Sequence, residues 1–269
     1  MSVNITLLTV KVLAIAGATQ MTANDINDNG QIVGQFIDPS GTHGFVFEED
    51  SFCLLDYPGA TSTNILGINN LGQMVGMFTT LTATAGFLYD RGTFSPALSF
   101  PGAGNLTIAN GINDRGHIVG VYQDALPGEH SFIYKAGKYT PLTYPGAKET
   151  AVDDINNSGE VIGYFPDAKG THGFVYLENV GVFTPPLNDP PSTNIPLRGI
   201  NNGGQIVGGR VDANGNEQPF LYMDGGINPI VIPGAISAGV GGINDRGQVA
   251  GNFRVAGGGE QSFVAAIRF

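Results

Sequence analysis

Three aspartates and one arginine are the residues whose positions suggest chemistry. Asp25 and Asp154 stand where the four other copies of a repeated segment have glycine, and Asp153 aligns with Arg198 of the next copy. Neighbouring carboxylates raise one another's pKa, and a raised pKa suits proton transfer near neutral pH. An arginine can orient an anionic substrate through paired hydrogen bonds. If the protein is an enzyme, Asp25, Asp153 and Asp154 are therefore its predicted acid and base groups.

Other polar residues suggest a binding site. Asn24 and Asn110 align with Asp153 and Arg198, so four of the six copies have a hydrogen-bonding side chain at one position. Tyr164 stands at a position where every copy has a different residue, which predicts either a stacking platform for a ligand or an exposed side chain. We predict that a ligand contacts Asn24, Asn110, Tyr164, Arg198 and Arg210.

Arg210 replaces an aromatic residue that the five other copies share. The aligned residues are Phe36, Phe78, Tyr122, Phe165 and Phe253. A charge at a core position costs several kcal/mol unless it is paired. Two interpretations stay open: a salt bridge from Arg210 to an acid of the fourth copy, or an arginine that binds the carboxylate of a ligand.

The elements that position these residues come from six copies of the motif I-N-[ND]-x-G-x-x-x-G. The copies begin at Ile26, Ile68, Ile112, Ile155, Ile200 and Ile243, and successive starts are 42, 44, 43, 45 and 43 residues apart. Each copy contains four strand-like segments, and no helical period appears between them. This pattern predicts an all-β protein: one six-bladed β-propeller domain over residues 1–269, with about 43 residues and four strands per blade.

The two ends of the chain predict how the ring closes. The sixth copy stops one strand short, and the first residues align with the fourth strands of other copies. We therefore expect residues 4–16 to complete the last blade, which removes an open sheet edge. The first motif glycine of each copy is expected to adopt a positive φ in a hairpin.

Composition narrows the possible partners. Lys and Arg total 12 against 23 Asp and Glu, so the net charge of −11 disfavours nucleic acid. No apolar run reaches the roughly 18–20 residues that a membrane helix needs, so membrane insertion is not expected. The apolar start at residues 5–18 lacks a basic segment and has Lys11 within it, so we interpret the chain as mature, without a signal peptide.

Cysteine and histidine do not predict a cofactor. Cys53 is the only cysteine, so an intrachain disulfide is impossible, and its apolar context predicts a buried side chain. His43, His130 and His172 recur at one blade position, which favours a shared structural hydrogen bond. No two histidines have zinc-ligand spacing, so we predict no metal site and no cofactor, although calcium stays an open possibility.

The repeats resemble a known bacterial family. The segments "GINDRGHIVGVYQD" and "INNSGEVIGYFPDAKGTHGFVY", with His-Gly-Phe at His43 and His172 and His-Ser-Phe at His130, are similar to the extracellular HAF repeat. Ala85, Gln218 and Gln261 replace this histidine in the three other copies. The resemblance covers essentially the whole chain and implies an extracellular or cell-surface location, without an agreed activity.

We predict from these observations a secreted or surface binding module. It is expected to be a monomer whose loops at the channel mouth hold a small polar molecule or carbohydrate, because residue variation concentrates there. One alternative is an enzyme, a lyase, hydrolase or cyclase, that uses the aspartates as acid and base and an arginine as anchor. Another alternative is a structural propeller that docks partners.

Overall fold

The computed structural model describes residues 5–7, 9–125, 128–187, 194–211 and 215–267. All regular secondary structure in these residues is β-strand, as the sequence predicts. Within the described residues there is no helix of the length and apolarity that crossing a bilayer requires. Two short strands come first: β1 (Ile5–Thr6) and β2 (Val10–Leu13).

Each copy of the motif then forms one antiparallel four-stranded unit, whose strands pair in chain order. Unit one contains β3 (Gln20–Ile26), β4 (Ile32–Asp38), β5 (Gly41–Glu48) and β6 (Ser51–Leu54). Unit two contains β7 (Ser62–Ile68), β8 (Met74–Thr79), β9 (Thr84–Asp90) and β10 (Thr93–Phe94). Unit three contains β11 (Leu106–Ile112), β12 (Ile118–Gln123), β13 (His130–Lys135) and β14 (Lys138–Leu142).

Units four to six repeat this order. Unit four contains β15 (Ala151–Ile155), β16 (Glu160–Asp167), β17 (Gly170–Leu177) and β18 (Val182–Phe183). Unit five contains β19 (Leu197–Ile200), β20 (Ile206–Val211), β21 (Glu217–Met223) and β22 (Gly226–Val231). Unit six has β23 (Ala235–Ile243), β24 (Gln248–Val255) and β25 (Glu260–Ala266), and the N-terminal strand β2 is its fourth strand.

The N-terminal segment serves two units, where the sequence predicted only one. β2 pairs antiparallel with β25 of unit six, but β1 pairs parallel with β22 of unit five. The reason is burial, because Ile5 and Leu7 pack into an apolar cluster with Ile230 and Ile232 of unit five. Of the predicted closing residues 4–16, positions 4 and 8 lie outside the described residues.

Motif glycines are required at two places. The first glycine of each copy has a φ of 70–81° in the hairpin turn, as predicted. The second glycine lies opposite the innermost strand, where an added Cβ would be only 1.9–2.5 Å from a backbone carbonyl oxygen of that strand. The third strand places a phenylalanine there, at most 1% exposed: Phe45, Phe87, Phe132, Phe174, Phe220 and Phe263. Only glycine lets these layers approach so closely.

The motif asparagines link the units in a closed circuit of side-chain hydrogen bonds. Each buried asparagine donates its amide N–H to the backbone carbonyl oxygen of the same residue in the next unit, at 2.9–3.1 Å. The last of them, Asn244, donates to Asn27 and returns the circuit to its start. The residue after each asparagine adds a second circuit, in which its backbone N–H donates to a side-chain oxygen of the next unit. The backbone pairings themselves leave four separate sheets, so side chains rather than a continuous ladder join the units all round.

Two expectations about single side chains have different outcomes. Cys53, predicted to be buried, is exposed, because β6 is the outermost strand of its unit and only one of its faces packs inward. The histidines share a position beside an aspartate but not one hydrogen bond: Nε2 of His172 bonds Asp167, Nε2 of His43 bonds Ser40, and Nε2 of His130 has no hydrogen-bond partner among the described residues. His43, His130 and His172 each face an aspartate of the preceding hairpin, with Nε2 to Oδ1 distances of 3.4, 3.5 and 2.9 Å.

Candidate functional site

The innermost strand of every unit has a β-bulge at the same place. The pairing register skips one residue, two positions before the motif isoleucine. A bulge leaves its extra residue unpaired and turns the side chain in a new direction, and bulges are common beside active sites. The six skipped residues are Asn24, Leu66, Asn110, Asp153, Arg198 and Gly241.

All six bulge residues line one cavity of about 280 Å³ between the units. Its wall is completed by residues such as Thr22, Glu217 and Asn252. Four of the eight residues predicted to form a site, Asn24, Asn110, Asp153 and Arg198, are therefore brought together. Glu217 and Asn252 were missed by sequence reasoning, because they lie outside the motif on the second and third strands. We call this cavity and its wall the channel mouth.

The scaffold positions the amide side chains of the channel mouth. Asn24 donates to the Oδ1 atom of Asn64 and to the carbonyl oxygen of Ile65, both at 2.8 Å. Asn110 donates to the carbonyl oxygen of Val152 at 2.7 Å. Each amide thus reaches the innermost strand of the next unit, so its position is set before any ligand binds.

Asp153 supplies a carboxyl group to the channel mouth. Its Oδ1 atom lies 3.7 Å from Nη1 of Arg198, and its Oδ2 atom is buried without a hydrogen-bond partner among the described residues. Burial raises the pKa of the carboxyl from 3.8 to about 7; Arg198 lowers it and Glu129 adds to the increase. The side chain is one-fifth exposed and lines the cavity.

Tyr164 and Arg210 occupy different surroundings. Burial raises the pKa of the Tyr164 hydroxyl to about 12, and the next largest contribution is the charge of Asp153, but Tyr164 is not among the residues that line the cavity. Arg210 is half-buried on β20, one residue after Gly209. Because successive side chains of a strand alternate between its faces, Arg210 points away from the face where Gly209 borders Glu217. It is not among the residues that line the cavity.

Asp25 and Asp154 lie further along the innermost strands and line a second, narrower cavity of about 50 Å³. Each carboxylate accepts two backbone N–H groups, one from its own strand and one from the next unit, Ile68 and Ile200 respectively, at 2.8–3.0 Å. An added Cβ on Gly111 or Gly242 would lie 2.6 or 2.3 Å from these carboxylates, so glycine in the preceding unit makes room for them. The structure thus gives Asp25 and Asp154 a bridging role between units and separates them from the larger cavity.

Burial also changes the titration of this aspartate pair. Removal from water raises the pKa of Asp25 to about 7, and it raises the pKa of Asp154 well above 3.8 with a further contribution from the charge of Asp25. A folded-state pKa above the unfolded value stabilises the protein fully below about pH 3.8, and that stabilisation is lost as the pH rises through about 7.

We therefore expect the Tm of the wild type to fall between about pH 4.5 and about pH 7.5, and to fall less in Asp25→Asn. Differential scanning fluorimetry of both proteins across this range measures the two slopes. The raised pKa of His43 acts in the same direction, but it is present in both proteins and cancels in the difference. Identical slopes would show that Asp25 does not titrate in this range.

The described residues contain no group of three or more His, Cys, Asp or Glu side chains placed to share a metal ion. Within them, the channel mouth is therefore a site of mixed amide, carboxylate and guanidinium groups, which form hydrogen bonds with hydroxyl, amine or carboxylate groups of a small molecule.

Comparison with known proteins places the fold but not the family. No family model matches the sequence, and no curated protein matches it. Among solved structures, TolB from Acinetobacter baumannii is similar with a TM-score of 0.60 at 12% identity over 88% of this chain, which spans 65% of the length of that TolB. The β-propeller domain of the trilobed protease from Pyrococcus furiosus is similar with a TM-score of 0.59 at 12% identity, over 93% of this chain and 82% of that domain.

A lectin is similar to the same degree. SapL1, solved in complex with α-methyl fucoside, has a TM-score of 0.58 at 10% identity, over 93% of this chain and 96% of the lectin. At such identities the likeness concerns the fold alone. The chain is an all-β protein whose structural neighbours are β-propellers.

Proposed function

We propose that this protein is a six-bladed β-propeller that binds a small polar ligand or carbohydrate at its channel mouth. Each four-stranded unit is one blade. The two circuits of hydrogen bonds between units join the six blades into a single domain over residues 1–269. The resemblance to the extracellular HAF repeat and the acidic net charge of −11 support a secreted or surface-displayed module.

The observation that carries the proposal is the ring of bulge residues around the 280 Å³ cavity. Six bulges at one position turn one residue per blade toward the same space, and four of those residues are polar. A cavity of this size is just below the roughly 300–1,000 Å³ range of ligand pockets, which suits a ligand no larger than a monosaccharide.

The unpaired oxygen of Asp153 favours a bound ligand in the cavity. A buried polar atom without a hydrogen-bond partner costs about 1–3 kcal/mol, and a ligand hydroxyl or amine would supply the missing bond. The buried Oδ2 atom of Asp153 is such an atom. The fold agrees with this use, since the structural neighbour SapL1 was solved with a fucoside bound.

Isothermal titration calorimetry with monosaccharides tests the proposal. The panel contains methyl α-fucoside, the common hexoses and their 2-amino and N-acetyl derivatives. We expect at least one sugar to bind the wild type, and Arg198→Ala to weaken that sugar by about 10-fold, because a charge-assisted hydrogen bond contributes about 1.5–3 kcal/mol.

The matched control is Arg91→Ala, since Arg91 is 92% exposed on an outer turn of blade two. It should bind like the wild type. Failure of the whole panel to bind, or equal weakening by both arginine variants, would contradict a sugar site at the channel mouth.

A second candidate, an enzyme, rests on the pKa of Asp153. A carboxyl that titrates near pH 7 can donate and accept a proton under ordinary conditions; the charge of Arg198 acts on it, and its own charge acts on the Tyr164 hydroxyl. Proton NMR of each bound sugar, its glycosides and its lactone would reveal a product. Turnover that disappears in Asp153→Asn, with binding retained, would make the protein an enzyme rather than a binding module.

A further inference from the structure

We propose that the channel mouth selects ligands that have a protonated primary amine, and that 2-amino sugars are the class of ligand that it binds. This inference rests on the proposed function and narrows it. A neutral sugar would satisfy the general proposal, whereas only a preference for the ammonium group over a hydroxyl or an amide satisfies this one.

The balance of charge in the channel mouth favours a cation. The charged residues that line the cavity are two carboxylates, Asp153 and Glu217, and one guanidinium, Arg198. Glu129 and Glu149 add negative charge near Tyr164, because both raise the pKa of its hydroxyl. A cleft with a surplus of one sign of charge attracts ligands of the opposite sign.

Glu217 is held where its carboxylate borders the cavity. An added Cβ on Gly209 would lie 2.3 Å from its Oε1 atom, and one on Gly239 would lie 3.1 Å from its Oε2 atom. The carboxylate therefore occupies the space that side chains at Gly209 and Gly239 would otherwise fill. At the position of Gly209 the other blades have Gln35, Met77, Val121, Tyr164 or Asn252, so blade five alone makes this room.

Arg198 does not neutralise Asp153 completely. Its Nη1 atom is 3.7 Å from Oδ1, which is beyond hydrogen-bond distance, and its side chain is 42% exposed. The Oδ2 atom stays without a donor. An ammonium group has three N–H donors and no acceptor, so it can bond this oxygen with one N–H and leave the others to water. Bonds between charged partners are roughly twice as strong as neutral ones, so a hydroxyl in the same place binds more weakly.

Binding of an ammonium group should also displace a proton. Asp153 is partly protonated near neutral pH, since its pKa is about 7; the charges of Arg198 and Glu129 act on it, and its own charge acts on Asp154 and on the Tyr164 hydroxyl. The cation binds the ionised carboxylate, so protons leave Asp153 as the ligand enters. A neutral sugar has no such effect.

The experiment is calorimetry at about pH 7, where the sugar amine is still mostly charged and Asp153 is about half ionised. Glucosamine, galactosamine and mannosamine are each paired with the parent hexose and with the N-acetyl derivative. We expect at least one amino sugar to bind the wild type about 10-fold or more tightly than both of its partners. Titrations in two buffers of different ionisation enthalpy measure the number of protons released, and binding of this sugar should release protons from the protein. In Asp153→Asn the preference should shrink to about 2-fold, and the proton release should disappear.

Two further proteins keep the test decisive. Asp224→Asn is the matched control, because Asp224 lies in an exposed turn with a φ of 51° that asparagine also adopts, and it should behave like the wild type. Glu217→Gln should reduce the preference for the amine even if Asp153→Asn does not fold.

If hexoses and amino sugars bind equally, the inference is wrong and the proposed function stands. If no sugar binds, both are wrong, and if calcium chloride displaces the amino sugar at equal concentration, the site is a general cation site instead.

Discussion

Gly120→Ala is expected to prevent the protein from folding. Gly120 is the second motif glycine of unit three, and an added Cβ would lie 2.0 Å from the carbonyl oxygen of Ile108 and 2.9 Å from the ring of Phe132. Neither neighbour can move, because Ile108 belongs to the paired innermost strand and Phe132 is completely buried. We expect a loss of more than about 4 kcal/mol, which is a large part of the stability of a typical domain.

Expression and circular dichroism of Gly120→Ala measure this effect. Gly259→Ala is the matched control, since Gly259 has no atom within 4 Å of an added Cβ and no positive φ. It should fold with a Tm within a few degrees of the wild type. A soluble Gly120→Ala protein with the Tm of the control would show that the strands separate more easily than their contacts indicate.

The second large effect is expected in the asparagine circuit. The Asn69 side chain makes four hydrogen bonds: its amide donates to Oε1 of Gln73 and to the carbonyl oxygen of Asn113, and its Oδ1 atom accepts from the backbone N–H groups of Leu71 and Gln73. Asn69→Ala removes all four and leaves buried backbone groups without partners. We expect a loss of about 3–4 kcal/mol, since each such bond contributes about 1 kcal/mol.

Urea unfolding monitored by fluorescence tests this expectation. A loss of that size corresponds to a Tm lower by roughly 6–16 °C, because each kcal/mol shifts the Tm of a large domain by about 2–4 °C. Asn29→Ala is the control: Asn29 is exposed and its side chain makes one hydrogen bond, to the carbonyl oxygen of Asn70. If Asn69→Ala loses no more stability than this control, the circuit does not hold the units together.

The fold was predictable because the information repeats. Alternating apolar residues, a turn with a left-handed glycine and a fixed spacing define each strand and hairpin locally, and six copies average out the ambiguity of any one of them. The structure was needed to explain why every copy has the motif asparagine and the second motif glycine. The asparagine contacts a different unit and the glycine contacts a neighbouring strand, so a single copy does not reveal why either residue is needed.

The candidate site was predictable only in part. Comparison of the copies located Asn24, Asn110, Asp153 and Arg198, because a position that varies within a constant framework is free of a structural task. The same comparison grouped Asp25 and Asp154 with Asp153, although a one-residue step along a bulged strand leads to a different cavity.

The sequence by itself determined the all-β class, the position of nearly every strand and four of the polar residues that line the cavity. Those properties depend on neighbours in the chain, where alternation and turn residues act. Only the tertiary structure decided that Arg210 turns away from the cavity, that Glu217 enters it across Gly209 and Gly239, and that one oxygen of Asp153 lacks a partner. These depend on bulges and on contacts between units some 40 residues apart in the chain, and no local sequence pattern records either of them.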